Sequence, residues 1–225
     1  MKYVVVLDFT SAECPPPLDE TDWRTATCYD SMSGAQNSID SLASIGLITS
    51  IEQTSVQSND DEYENERKYK IGVIGWYDGV VSIIPLPNSM VFYRVTVNDI
   101  DAKQETARRY RDLSHALDYA DEVIGATGKD GPRLPFGQII SDDYLVWVDI
   151  RLDIIGKQDD LRDGDEEVLA SFVCKSPVGV LLLTLKFLES LKRGDSEETL
   201  RLERERQKTW RRIRRRNMND SHSPD

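Results

Sequence analysis

The sequence predicts an α+β domain, a small antiparallel or mixed sheet with helices packed on one face, followed by a basic C-terminal helical extension. Three observations predict it. Short runs rich in β-branched residues and segments whose apolar residues recur at helical spacing follow in the order strand, helix, strands, helix, strand, helices, which gives an α+β domain. Within "KYKIGVIGWYDGVVSIIPLP", two β-rich runs meet at Asp78-Gly79, the dipeptide most favoured in a two-residue hairpin turn. Apolar content then drops sharply at Gly194. The chain therefore divides into a globular domain over residues 1–194, a helical extension over 195–217 and a frayed end over 218–225.

Each element follows from its residues. "KYVVVLDF", residues 2–9, is short and β-branched, which predicts a buried central strand. Proline, aspartate and serine punctuate the stretch from Thr10 to Gly34, which reads as a long loop that Trp23 pins down. "AQNSIDSLASIGL" places Ile39, Leu42, Ala43 and Gly46 on one helical stripe, and "LITSIEQTSV" alternates as a strand does. The polar, acidic run "QSNDDEYENE" is a solvated loop, and "SMVFYRVTV" is a further strand.

The longest predicted helix starts after the cap Asn98 and runs from Asp99 to about Gly125, with Ile100, Ala107, Tyr110, Leu113, Leu117, Ala120 and Ile124 on one stripe. "DYLVWVDIRLDII" is a half-buried strand. It sets Val146, Val148, Ile150 and Leu152 on one face and Trp147, Asp149, Arg151 and Asp153 on the other. A short helix is expected from Glu166 to Cys174, then a core helix with Ser176 as cap, Pro177 at its first position and Gly194 past its end. The last helix starts at Asp195, with Glu198 completing a capping box, and extends to Arg216. No internal repeat is legible.

Several classes are excluded at this level. The apolar run at the N-terminus is broken by Asp8, short of a signal-peptide core, and "VGVLLLTL" is far below the roughly 20 residues that cross a bilayer. Cys14, Cys28 and Cys174 form no CxxC pair, and their odd number and wide spacing fit neither a disulfide framework nor a zinc site. A cytoplasmic protein with no membrane partner is expected. Cys174 reads as a small buried hydrophobe.

Charge is the most informative feature. Residues 201–225 hold nine Lys or Arg and four Asp or Glu, net +5; the whole chain holds 28 and 40, so residues 1–200 hold 19 and 36, net −17. Lys208, Trp210, Arg211, Arg212, Arg214, Arg215 and Arg216 fall within ten positions of the predicted extension. On a helix these arginines surround most of the axis, a field suited to phosphates on both sides of a groove, with Trp210 adding a stacking face. This segment resembles the arginine-rich peptides with which some viral and phage regulators bind structured RNA. The expectation is a non-enzymatic regulatory or accessory protein whose basic helix binds RNA, DNA or an acidic protein partner. The acidic body, for its part, offers carboxylates to a basic protein, to this chain's own tail or to a second copy in a homo-oligomer.

Asp8 and Asp78 support an alternative. An aspartate leaving a hydrophobic strand, with another in a later hairpin, is similar in outline to class III nucleotide cyclases. That resemblance implies a pair of Mg²⁺ ions held by Asp8 and Asp78 against a nucleoside triphosphate. The chain departs from the cyclase pattern at Tyr77, where glycine is usual, and in the proline-rich stretch where a helix follows the first strand. "DDLRDGDEE" fails as a calcium loop because Leu161 and Ala170 occupy ligand positions. Neither His115 nor His222 has a serine or cysteine partner in sequence, and no glycine loop of the GxGxxG or Walker type occurs.

Overall fold

The computed structural model describes residues 1–10, 23–54, 65–73, 78–99, 104–126, 133–134, 137–141, 144–156 and 167–194. These form strands β1 (Lys2–Asp8), β2 (Arg24–Tyr29), β3 (Ile48–Gln53), β4 (Arg67–Val73), β5 (Gly79–Leu86), β6 (Val91–Asp99), β7 (Gln104–Tyr110), β8 (Arg133–Leu134), β9 (Gly137–Ser141), β10 (Tyr144–Gly156) and β11 (Glu167–Cys174), with helices α1 (Met32–Asp40), α2 (Leu113–Ala126) and α3 (Pro177–Arg193). All strands join one sheet in the order β3-β4-β5-β1-β2-β11-β10-β6-β7, and β9 and β8 extend it from one end of β10. The β2–β11 pair is parallel and the other pairs are antiparallel. The sheet is mixed, as expected, but it dominates the domain instead of being small.

The helices do not share one face. Val4 and Val6 of β1 belong to a core with Val95, Ile150, Leu152 and Phe172, closed by Leu113, Ala116 and Ala120 of α2. Val5 and Leu7, pointing the other way, belong to a second core with Ile71, Val81 and Ile83, closed by Ile39 of α1 and by Val180 and Leu181 of α3. A strand buried on both faces reads as the continuous apolar run seen in β1. The expected arrangement, with helices on one face only, is thus corrected by the double burial of this central strand.

One element order occurs twice. Strands β1 and β2 pair as neighbours, α1 follows, and the meander β3-β4-β5 returns so that β5 pairs with β1. In the same way β6 and β7 pair, α2 follows, and β8-β9-β10 return so that β10 pairs with β6. Following directions across the sheet, β6 runs opposite to β1. The second unit is therefore turned over relative to the first, and this is why α2 covers the opposite face from α1. Strand β11 joins the two units and α3 adds to the α1 side.

Other sequence expectations change for identifiable reasons. The predicted loop from Thr10 to Gly34 contains β2 and the start of α1, where Ser31 Oγ accepts from Gly34 N at 3.1 Å and caps the helix. The helix expected from Asp99 begins only at Leu113. Its first half is β7, whose helix-forming residues are held extended by pairing with β6 from Tyr93–Tyr110 to Asp99–Gln104. The helix expected from Glu166 to Cys174 is β11, where Ala170, Phe172 and Cys174 alternate into the α2 core. The predicted hairpin forms, with β4 and β5 antiparallel, but Asp78-Gly79 is not its two-residue turn, since Gly79 already pairs with Ile71. Glycine is needed there for another reason: a Cβ would lie 2.4 Å from the ring of buried Phe9.

Helix α3 keeps its predicted limits, with Pro177 first and Gly194 ending it at φ +66°. Of the predicted alternation in β10, Val148, Ile150 and Leu152 do enter the α2 core. The side chains of Val146 and Trp147, and the extension with its end over residues 195–225, lie outside the described residues.

Candidate functional site

The sites picked out in the sequence fall into two groups. Lys208, Trp210, Arg211, Arg212, Arg214, Arg215 and Arg216 lie outside the described residues. Asp8 and Asp78 are described, and the sheet does bring them to one end of adjacent strands. Asp8 pairs with Val80, so Asp78 stands two residues beyond that pair on β5's approach. A Cβ added at Gly72 would come 3.7 Å from Asp78 Oδ1 and within 2.6 and 2.8 Å of Thr49 Oγ1 and Ser50 Oγ. A register shift between Ile48 and Ser50 turns both hydroxyls toward this spot.

Asp8 is already engaged. Its Oδ1 accepts from Thr10 N at 2.8 Å and Thr10 Oγ1 at 2.6 Å, and its Oδ2 is 3.3 Å from Arg24 Nε. Arg24 in turn lies over the Phe172 ring, 4.8 Å from its centroid. One oxygen of this carboxylate caps a turn and the other lies against a guanidinium. Among the described residues, no group of three or more His, Cys, Asp or Glu side chains is placed to hold a metal ion. His115 stands on the exposed side of α2, 3.7 Å from Asp112.

The strongest polar constellation was only half legible in the sequence. The alternation of β10 puts Asp149, Arg151 and Asp153 opposite the α2 core, and pairing adds Arg94 of β6 and Ser171 of β11. Asp153 is fully buried, and Arg94 Nε donates to its Oδ2 at 2.7 Å. Ser171 Oγ donates to Asp153 Oδ1 at 2.7 Å and accepts from Arg151 Nε at 2.8 Å and Arg94 Nη2 at 3.2 Å. That hydroxyl has one donor and two acceptor positions, and all three are used. Arg151 Nη1 also lies 3.7 Å from Asp149 Oδ2. Burial pushes the Asp149 carboxyl above its ordinary value, and the guanidiniums of Arg151 and Arg94 partly offset that rise.

This network holds two guanidiniums at fixed positions on the sheet, and its arginines are about 30% exposed. The row continues: Arg151 pairs with Arg94, and Arg94 pairs with Arg109 of β7. Arg109 is exposed and has no partner among the described residues. Arg111, two positions on, donates to the carbonyls of Asn88 and Ser89 at 3.0 and 2.7 Å and lies 3.6 Å over Phe92. An array of guanidiniums on a sheet can bind anions. It offers no nucleophile or free base.

Cys28 and Cys174 offer no such chemistry either, and Cys14 lies outside the described residues. Burial raises the Cys28 thiol to about 11 and pushes Cys174 higher still, so both stay protonated near neutrality. Cys174 is a core residue beside Phe172, as its sequence reading implied. A comparison with known families, curated proteins and solved structures finds no match to this chain.

Proposed function

We propose that this chain is a non-enzymatic regulatory protein that binds nucleic acid through the arginine-rich segment following Gly194. One observation carries the reading: a net charge of +5 concentrated in residues 201–225, against −17 over residues 1–200. Such segregation gives the chain a phosphate-attracting segment that differs in sign from a body that repels phosphate. The state of Asp8 supports the same reading, because its carboxylate serves Thr10 and Arg24.

The test is binding of fluorescently labelled RNA and DNA, single-stranded and duplex, across a salt series. Five phosphate contacts predict that log K for duplex DNA falls with log salt at a slope of about −4.5. Replacing Arg211, Arg212, Arg214, Arg215 and Arg216 together by glutamine should remove most of that slope. Unchanged binding by this variant would refute the role of the segment. Turnover of a nucleoside triphosphate with Mg²⁺, lost on Asp8→Asn, would refute the non-enzymatic reading.

A further inference from the structure

We infer that the cross-strand row Arg109, Arg94 and Arg151, on the sheet face opposite α2, is a second contact surface for the phosphodiester backbone of a nucleic acid. The inference extends the proposed function and concerns a different part of the molecule. Register places the three residues directly opposite one another on β7, β6 and β10. Neighbouring strands lie about 4.8 Å apart, so the row spans roughly 10 Å. Like charges at directly opposed positions destabilise a sheet unless something neutralises them.

Neutralisation is incomplete. Asp153 and Asp149 serve Arg94 and Arg151. No carboxylate among the described residues serves Arg109, and Arg111 beside it meets carbonyls and a ring. The row's three guanidiniums meet two carboxylates, which leaves the charge of Arg109 uncompensated among the described residues, while Arg111 has Asp112 next to it in the chain. Glu105 stands on the same strand four residues from Arg109, about 13 Å along β7, beyond the Debye length of about 8 Å at physiological salt. A positive patch on a body of charge −17 is an exception that an anionic ligand would explain.

Charge complementarity selects the occupant. A row of fixed guanidiniums spanning several charges matches a ligand that repeats a negative charge with every nucleotide, and the planar fork of arginine suits phosphate oxygens. The pairing of Arg94 and Arg151 with Asp153 and Ser171 pre-organises the row, so little side-chain freedom is lost on binding.

The experiment compares Arg109→Gln with Arg108→Gln in the full chain. Both remove one charge from adjacent residues of β7. Arg108, however, lies 4.4 Å over the Tyr119 ring on the α2 side. Binding of the same labelled oligonucleotides should show a salt slope reduced by about 0.7–0.9 for Arg109→Gln and a smaller change for Arg108→Gln. Equal effects of the two variants would overturn the proposal, since only total charge would then matter.

The five-arginine tail variant separates this proposal from the previous one. Residual binding in that variant that Arg109→Gln weakens further supports the sheet surface, whether or not the tail contributes. An Arg109→Gln change with no effect in either background overturns the sheet surface and leaves the tail reading intact. Capture of an acidic polypeptide by the row, with no dependence of oligonucleotide binding on Arg109, also overturns it. Circular dichroism of each variant confirms that a lost slope is not a lost fold.

Discussion

The two units of the sheet share an element order but treat the same sheet face in opposite ways. In the first unit that face holds Val5, Leu7, Ile71, Val81 and Ile83 and is closed by α1 and α3. In the second it holds Arg94, Thr96, Asp149, Arg151 and Asp153, while α2 closes the other side over Val95, Val148, Ile150 and Leu152. The turning over of one unit relative to the other determines which residues must be apolar. A helix needs an apolar surface beneath it, and a face with no helix over it among the described residues is free to carry charge. Where that charge is buried, as at Asp153, it has to be paired.

The largest expected effect breaks the polar side of this comparison. Arg94→Met leaves Asp153 buried with only the Ser171 hydroxyl as partner and should cost about 3–5 kcal/mol in urea unfolding. The double change Arg94→Met with Asp153→Leu should recover much of that loss, because no unpaired charge then stays buried. A single-variant cost below about 1 kcal/mol would mean that the ion pair is not what holds the second unit's open face.

The apolar side is probed by Gly79→Ala. The added methyl meets Phe9, which is 1% exposed and packed in the α1 and α3 core. Overpacking there should cost about 1–3 kcal/mol, read as a lower midpoint with an unchanged denaturant slope. A neutral result would show that Phe9 has room to move and that the first unit is packed less tightly than its burial implies.

The smallest effect sharpens the contrast through pH. Burial raises the Asp149 carboxyl in the folded state, so the fold binds its proton more tightly than the unfolded chain does. Stability from this group is present below the ordinary aspartate value and is lost as pH rises through the raised folded value. Asp149→Asn should therefore gain on the wild type as pH rises from about 3 to 7, by under about 1 kcal/mol in all. A variant that instead loses ground over that range would show that the contact with Arg151 outweighs the burial cost.

Much of the fold was legible because some residues can satisfy only one local rule. The β-branched run of β1, the apolar stripe of α1 through Ile39, the alternation of β10, and Ser176, Pro177 and Gly194 around α3 each state their structure within a few positions. Strands β2, β7, β8, β9 and β11 were not legible, and the stretch "GPRLPFG", which reads as a loop, holds β8. "QETARRY" is made of residues that favour a helix, and it is extended only because β6 lies alongside it. For the candidate surface, the sequence showed that Asp149, Arg151 and Asp153 share a face. It could not show that Arg94 and Arg109 stand beside Arg151, since pairing across strands depends on register.

By itself, then, the sequence determined the element-level features that depend on near neighbours: strand and helix signals, caps, and the separation of an acidic body from a basic tail. Only the tertiary structure decided the size of the sheet, the repetition of one unit turned over, and the faces that the helices cover. It also decided that Asp8 is engaged by Arg24 and that three arginines form a row. The physical reason is range. Propensity and capping act over three or four residues, whereas sheet register, burial and charge pairing join residues as far apart as Arg94 and Asp153, and no local pattern encodes which distant strand will lie alongside.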